Sequence, residues 1–172
     1  CVTRRQRQMC IRDRYNTSLN GLMLHHNVIG DEFLKYVHDI DISFMKEDKI
    51  MRNELENLDM EKFIFTNGSA EHAQNILTRL GIYDLFGKEK VFDIKDAGYV
   101  PKPEAQTFDL MIKKFGIKPK ETIYIEDIAK NLSTGFEKGC TTVWLINDEH
   151  FGKIDSDKDY ICLLYTSDAA DE

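Results

Sequence analysis

The alternation of short apolar runs with helical segments constrains this chain more than any other feature. Four runs have the length and the composition of buried strands, and helical segments separate them; the runs cover residues 62–66, 91–94, 122–125 and 142–146. Strand–helix alternation at this rhythm is typical of a parallel sheet. We therefore predict an α/β fold of the Rossmann-like kind, with one parallel sheet and helices on both of its faces.

Helical spacing of apolar residues surrounds these strands. It predicts helices within residues 15–44 and over residues 47–58, 69–80, 103–115 and 128–138. Gly81 and Gly116 follow two of them, at the place where glycine commonly ends a helix. We expect residues 45–161 to form the α/β core and residues 15–44 to form a separate helical part.

The two ends of the chain follow a different logic. Back-translation of residues 162–172 gives a DNA sequence whose reverse complement encodes residues 4–13. One DNA element in opposite orientations at both ends is typical of a translated sequencing adapter. We therefore interpret residues 1–14 and 162–172 as artefacts and exclude them from functional reasoning. The chain begins with Cys1 rather than methionine, so we expect its natural start to lie elsewhere.

Composition excludes several classes of partner. The formal net charge is -7, and no basic stripe lies between the two end segments, which argues against nucleic-acid binding. No apolar run approaches the length of a membrane span. Cys140 fits a small core residue, and no disulfide framework or paired-cysteine metal motif is present. This usage is typical of a reducing compartment, and we expect a cytoplasmic location, with the nucleus as a further one.

Polar residues follow the predicted strands or open the helices after them. The positions are Thr66, Asn67 and Gly68 after the first strand, Lys102 between two prolines, and Glu126, Asp127 and Asn131 after the third strand. Ligands of parallel sheets bind beyond the carboxyl ends of the strands. Ordinary alternatives exist for each group: helix capping for the turn and for the acidic pair, and a solvated surface position for the lysine.

Together these groups suit a phosphate and a hard cation. A hydroxyl, an amide and free backbone N–H groups at a helix N-terminus bind a phosphate-sized anion. Two adjacent carboxylates at a strand end suit a cation such as Mg²⁺. The order of hydroxyl, lysine and acidic pair along successive elements predicts a site for phosphoryl chemistry.

The same residues carry a family resemblance. Phe63-Ile64-Phe65-Thr66-Asn67 resembles the second motif of haloacid dehalogenase-type hydrolases, Lys102-Pro103 with Phe108 the third, and Ile125-Glu126-Asp127 with Asn131 the fourth. Within that superfamily, the stretches FTNGSAEHA, LGIYDLF, VPKPE, EDIAKNL and TTVWLIN resemble the pyrimidine 5′-nucleotidases of fungi and plants. The resemblance covers nearly all of residues 15–161.

The resemblance implies an Mg²⁺-dependent hydrolase of nucleoside 5′-monophosphates that works through an aspartyl-phosphate. A small phosphomonoester is then its expected partner. The implied catalytic and phosphate-binding residues are Thr66, Asn67, Gly68 and Lys102. Asp127 and Glu126 are the implied Mg²⁺ ligands, with Asn131 in support. Mg²⁺ and lysine would offset the repulsion between an attacking carboxylate and a phosphate dianion.

The nucleophile is the part of the pattern that this sequence lacks. The family attacks with the first aspartate of a DxDxT loop, which follows a hydrophobic strand. Asp39-Ile40-Asp41-Ile42-Ser43 fits DxDxS, but residues 33–38 before it have a helical pattern, and we reject it. We expect no nucleophile in this chain, no activity of the chain alone, and a missing central strand between those that end at Thr66 and Glu126. Residues 160–166 are apolar enough to form a strand there.

Residues 15–22 resemble the substrate-contacting segment of the family's cap, so residues 15–44 are interpreted as the remnant of a helical cap. The alternative functions are a sugar-phosphate phosphatase or phosphomutase with the same core, and a non-catalytic binding fragment. A receiver-like signalling domain would carry its acidic pair early in the chain, and here the pair comes late. A dinucleotide-binding domain would need a glycine fingerprint after a strand, and the sequence has none.

Overall fold

The computed structural model describes residues 14–146, 150–153 and 158–166. The interpretation of the two ends as adapter artefacts falls largely on residues outside these ranges. The chain divides into two compact units, Cys1–Pro101 and Lys102–Glu172. No helix among the described residues is both long and apolar enough to cross a membrane.

The main elements of the first unit, within its described residues, are four α-helices and a two-stranded parallel sheet. They are α1 (Ser18–His26), α2 (Gly30–Val37), α3 (Lys49–Asn57), β1 (Ile64–Phe65), α4 (Ala70–Arg79) and β2 (Val91–Phe92). Side-chain oxygens of Thr17, Asp48 and Ser69 accept backbone N–H groups at the starts of α1, α3 and α4. Such caps satisfy donors that a helix start leaves without intrahelical partners, and they fix where these helices begin.

Two apolar clusters hold the first unit together. Leu19 of α1, Leu34 of α2 and Ile94 after β2 form one of them, so the helical segment predicted as a cap remnant packs on the end of β2. Leu77, Ile82 and Phe86 form the other, beneath α4 and the loop after it. Gly81 has φ +74° and allows the chain to turn sharply between these residues.

The second unit is built on a three-stranded parallel sheet. Its elements are α5 (Ala105–Phe115), β3 (Ile123–Glu126), α6 (Leu132–Glu137), β4 (Thr141–Ile146) and β5 (Leu163–Thr166), and the strand order is β3-β4-β5. The predicted strand within residues 160–166 is therefore present, but it pairs with β4 rather than beside β3. Thr142, which is fully buried, fastens it: the Thr142 hydroxyl donates to the Tyr160 carbonyl at 2.6 Å and accepts the Cys162 N–H at 3.1 Å.

Only one face of this sheet is well covered. Tyr124, Thr142 and Trp144 point into the core on one side. On the other side Ile123 and Ile125 of β3 remain 48% and 54% exposed. The prediction of helices on both faces is thus wrong for this sheet among the described residues; the alternation of exposed and buried side chains along β3 is that of a strand covered on one face.

The prediction of a single sheet is also wrong, because the described strands form two separate parallel sheets. β1 pairs with β2 alone and β3 pairs with β4 alone within the described residues. β1 and β3 are the two strands that the resemblance places on either side of the DxDxT strand.

Replacing Gly135 by alanine tests the packing of α6 on β3. A Cβ at Gly135 would lie 2.5 Å from Cδ1 of the buried Tyr124 ring. Alanine normally stabilises a helix relative to glycine by about 1 kcal/mol. We instead expect Gly135→Ala to lower the free energy of unfolding by roughly 1–3 kcal/mol, because the ring has to move within a packed core. Thermal unfolding checks this, with Glu137→Ala on the exposed side of α6 as the control; equal or higher stability of Gly135→Ala would contradict this packing.

Candidate functional site

Hydrogen bonds join the turn after β1 to the chain after β2 and to itself. Thr66 donates its N–H to the Phe92 carbonyl at 3.0 Å, and Ile94 donates to the Gly68 carbonyl at 3.2 Å. Gly68 donates its own N–H to the Thr66 hydroxyl at 2.9 Å. Thr66, Asn67 and Gly68 are all half-buried, so the turn that the sequence predicts for phosphate is partly accessible.

The N–H groups at the start of α4 are not free, contrary to the expectation. Ala70 donates to Asp93 Oδ2 at 2.8 Å, and His72 donates to Ser69 Oγ at 3.2 Å. Asp93 is only 5% exposed, and its other carboxylate oxygen accepts from Lys95 N–H at 2.9 Å. A protein carboxylate therefore occupies the position at the helix N-terminus that an anion would take. The capping alternative describes this helix start correctly.

Two histidines lie against the turn. The rings of His38 and His72 stack with centroids 4.0 Å apart and an interplanar angle of 7°. His38 Nδ1 lies 3.1 Å from Ser69 Oγ. A Cβ on Gly68 would lie 3.6 Å from both Cε1 and Nε2 of His38, so that edge of the imidazole runs along the turn. Nothing in the spacing of His38 and His72 along the sequence predicts that they meet beside this turn.

Both imidazoles favour the neutral form. Burial, followed by the charge of His72, lowers the pKa of His38, and burial lowers the pKa of His72. Glu71 acts in the opposite direction on His38, and Lys95 acts in the same direction as His72. A histidine whose folded pKa lies below the unfolded value destabilises the fold as the pH falls through that interval. Mild acid therefore weakens this contact.

The predicted lysine and acidic pair meet in the second unit. Lys102 is 6% exposed, and its Nζ lies 2.8 Å from Glu126 Oε1. The Asn131 amide donates to the same carboxylate oxygen. Lys102 is thus not a solvated surface lysine, and Glu126 does not cap a helix; the two form a buried ion pair at the carboxyl end of β3. Buried ion pairs require such additional hydrogen bonds to offset their desolvation.

Asp127 follows Glu126 and is exposed at the strand end. Its carbonyl accepts the Trp144 indole N–H at 3.2 Å, which fixes the backbone there. Among the described residues, no group of three or more histidine, cysteine, aspartate or glutamate side chains could hold a metal ion. Mg²⁺ commonly binds to proteins through one or two carboxylates, with waters and phosphate oxygens as its other ligands. The donors present therefore fit Mg²⁺ in part, with Asp127 as the accessible carboxylate.

The DxDxS segment does not have the geometry of a nucleophile loop. The helix α2 leads into it, not a strand, which confirms the reason for rejecting it. Asp39 and Asp41 are exposed, and Asp41 Oδ1 accepts the Ser43 N–H at 2.8 Å. These carboxylates belong to a surface turn.

Residues 15–22, which resemble the substrate-contacting segment of the cap, form hydrogen bonds with one another. Asn20 donates its side-chain amide to the Tyr15 carbonyl at 3.1 Å, and its N–H to the Thr17 hydroxyl at 3.1 Å. Asn16 adopts φ 62°, a conformation that asparagine tolerates better than most residues.

Comparison with known proteins identifies the family of this chain and several relatives. The model of the haloacid dehalogenase-like hydrolase family matches residues 48–136, just over half of the chain. Glyceraldehyde 3-phosphate phosphatase of Methanocaldococcus jannaschii is 26% identical over 131 residues, which are 76% of this chain and 52% of that protein. The chain therefore spans about half the length of this curated relative.

Two solved structures share the fold. A haloacid dehalogenase family hydrolase from Deinococcus radiodurans, crystallised with bound phosphate and sodium, matches with a TM-score of 0.60 at 21% identity, over 91% of this chain and 72% of that chain. A conserved haloacid dehalogenase-like protein of unknown function from Agrobacterium tumefaciens matches with a TM-score of 0.55 at 15% identity, over 93% of this chain and 84% of its own. At these identities the likeness extends to the fold alone.

Proposed function

Because the chain belongs to the haloacid dehalogenase-like hydrolase family, we propose that the protein containing it is a phosphatase that hydrolyses a small phosphomonoester. The observation that carries this proposal is the buried Lys102–Glu126 ion pair with the exposed Asp127 beside it. A fixed cation and an accessible carboxylate at one strand end are the groups that phosphoryl chemistry needs. A merely structural ion pair would not require the adjoining carboxylate.

Each group has a distinct role in this proposal. Thr66 and Asn67 bind phosphoryl oxygens, and Gly68 contributes its N–H once that group leaves the Thr66 hydroxyl. Lys102 neutralises charge on the phosphoryl group. Glu126 holds the Lys102 ammonium in place, and Asn131 holds the Glu126 carboxylate. The nucleophilic aspartate implied by the family pattern lies outside this chain.

Asp127 is the proposed Mg²⁺ ligand, and Glu126 supports it through Lys102 and Asn131. When bound, Mg²⁺ would neutralise phosphoryl oxygens and so reduce their repulsion of an attacking carboxylate. Asp127 suits this role because its side chain is exposed while its carbonyl is fixed by Trp144.

We propose a phosphorylated sugar or triose as the first substrate class. The named relative, a glyceraldehyde 3-phosphate phosphatase, supports this choice over the nucleotidase reading. Pyrimidine 5′-monophosphates are the second candidate, supported by the resemblance of FTNGSAEHA and EDIAKNL to the pyrimidine 5′-nucleotidases. In either case the reacting group is a phosphomonoester.

A substrate panel tests the proposal on the protein that contains this chain and the nucleophile. We expect Mg²⁺-dependent phosphate release that EDTA abolishes, with kcat/KM higher for glyceraldehyde 3-phosphate than for UMP or CMP. AMP serves as the control for a preference for the pyrimidine base. A preference for UMP and CMP over AMP and glyceraldehyde 3-phosphate would establish the second candidate. Absence of phosphate release from all four, with the protein folded, would refute phosphatase function.

A further inference from the structure

His38 makes a contact that the proposed catalytic roles do not require. It lies at the end of α2, 31 residues before Ser69 in sequence, yet its Nδ1 lies 3.1 Å from Ser69 Oγ. Its ring edge runs along Gly68. A side chain from the helical segment therefore reaches the turn that carries Thr66 and Asn67.

Ser69 occupies the junction of the turn and α4. Its hydroxyl oxygen accepts the His72 N–H, which makes it the cap of that helix. Ser69 is 5% exposed, and its hydroxyl has a single proton to donate. His38 Nδ1 and the Glu71 carboxylate both lie within reach of it. The orientation of this hydroxyl depends on which of them accepts its proton.

His72 stacks on the His38 ring and restricts its orientation. The two imidazoles stack nearly parallel, and this contact fixes the His38 ring where its Nδ1 meets Ser69 and its adjacent Cε1–Nε2 edge faces Gly68. Ser69 and His72 contact this ring, and the absence of a side chain at Gly68 leaves room for its edge.

We propose that His38 is a positioning residue of the phosphate-binding turn, acting through Ser69 and Gly68, with His72 as its support. This inference rests on the proposed function, because the turn matters for activity only if Thr66 and Asn67 bind a phosphoryl group. It makes the helical segment a determinant of phosphate affinity.

The inference includes a pH dependence. The charged and titratable groups around His38 are His72 and Glu71 on α4 and Lys95 after β2. Protonation of both stacked rings places two positive charges on rings whose centroids lie 4.0 Å apart, near the Lys95 ammonium. Among the described residues, Glu71 opposes the charge on His38, while Asp31 and Glu71 pair with Lys95. Repulsion between the protonated rings opposes the stack that holds His38 at Ser69, so we expect the part of the phosphate affinity that depends on this position to fall below the ordinary pKa of histidine.

Two substitutions separate the functions of the ring. His38→Phe keeps the stack on His72 and removes the bond to Ser69. His38→Asn keeps a polar group near the position of Nδ1 and removes the ring and its titration. His26→Phe, on the exposed end of α1, is the matched control.

The test measures inhibition by inorganic phosphate, KM and kcat between pH 5 and 8, and amide hydrogen exchange at Gly68 to His72, in the protein that contains this chain and the nucleophile. For His38→Phe we expect a roughly five- to tenfold weaker affinity for phosphate and faster exchange at His72. For His38→Asn we expect a phosphate affinity close to that of the parent protein. We also expect that this affinity no longer falls at acid pH, because the titrating His38 ring is absent. His26→Phe should match the parent.

The outcomes distinguish this inference from the proposed function. A parent protein without phosphatase activity would refute the proposed function, and with it a role of His38 in phosphate affinity. An active parent with unchanged phosphate affinity and unchanged exchange in His38→Phe would overturn the inference alone. Equal losses in His38→Phe and His38→Asn would also overturn it, because they would make the ring a packing element only.

Discussion

The 172-residue chain by itself should release no phosphate above background from UMP, CMP, p-nitrophenyl phosphate or glyceraldehyde 3-phosphate in the presence of Mg²⁺. The family pattern requires an aspartate nucleophile at a strand end, and the DxDxS segment that fits the letters follows the helix α2 instead. Phosphatases of ordinary efficiency turn over about 1–10³ times per second, so even slight activity would be detected.

The same experiment can contradict this prediction directly. Mg²⁺-dependent turnover that Asp39→Asn abolishes would make Asp39 the nucleophile and the surface turn an active loop. The matched control is Asp59→Asn, since Asp59 is an exposed aspartate that the family pattern does not involve. Turnover that survives both substitutions would point to a contaminating phosphatase.

Periodicity and strand-end chemistry predicted much of the fold and of the candidate site. All four predicted strands are present, and α4 and α5 lie within two residues of their predicted bounds. Local sequence determines these elements through their caps, glycines and apolar spacing. The pairing of strands is a property of the whole sheet, so the separation into two sheets could not be read from individual strands.

The histidines and Asp93 show what local reasoning misses. His38 and Ser69 are 31 residues apart, and their contact depends on how α2 packs through Leu34 against Ile94. No spacing in the sequence predicts such a contact. Asp93 was discoverable, because it follows β2 at the same edge where the rule of strand ends located Thr66 and Glu126. Applying that rule to every strand would have included it.

Lys102→Ala and Asp127→Asn should each lower kcat by roughly 10²–10³-fold or more in the protein that contains this chain and the nucleophile. The lysine cation and the Asp127 carboxylate act on charge at the phosphoryl group, where the loss of one fixed charge cannot be replaced by solvent. The measurement is steady-state phosphate release with saturating substrate and Mg²⁺. Lys118→Ala, an exposed lysine paired with Glu121, should match the parent.

The Lys102 variant needs a second control, because its partner is buried. Removing one member of a buried ion pair commonly costs about 3–5 kcal/mol of stability, since the other charge stays in the interior. The double variant Lys102→Met with Glu126→Gln removes both charges. We expect it to recover most of the lost stability while its kcat stays as low as that of Lys102→Ala, because the cation is still absent. Recovery of kcat together with stability would show that Lys102 serves only the fold, and near-parental kcat in Asp127→Asn would remove the carboxylate from the proposed site.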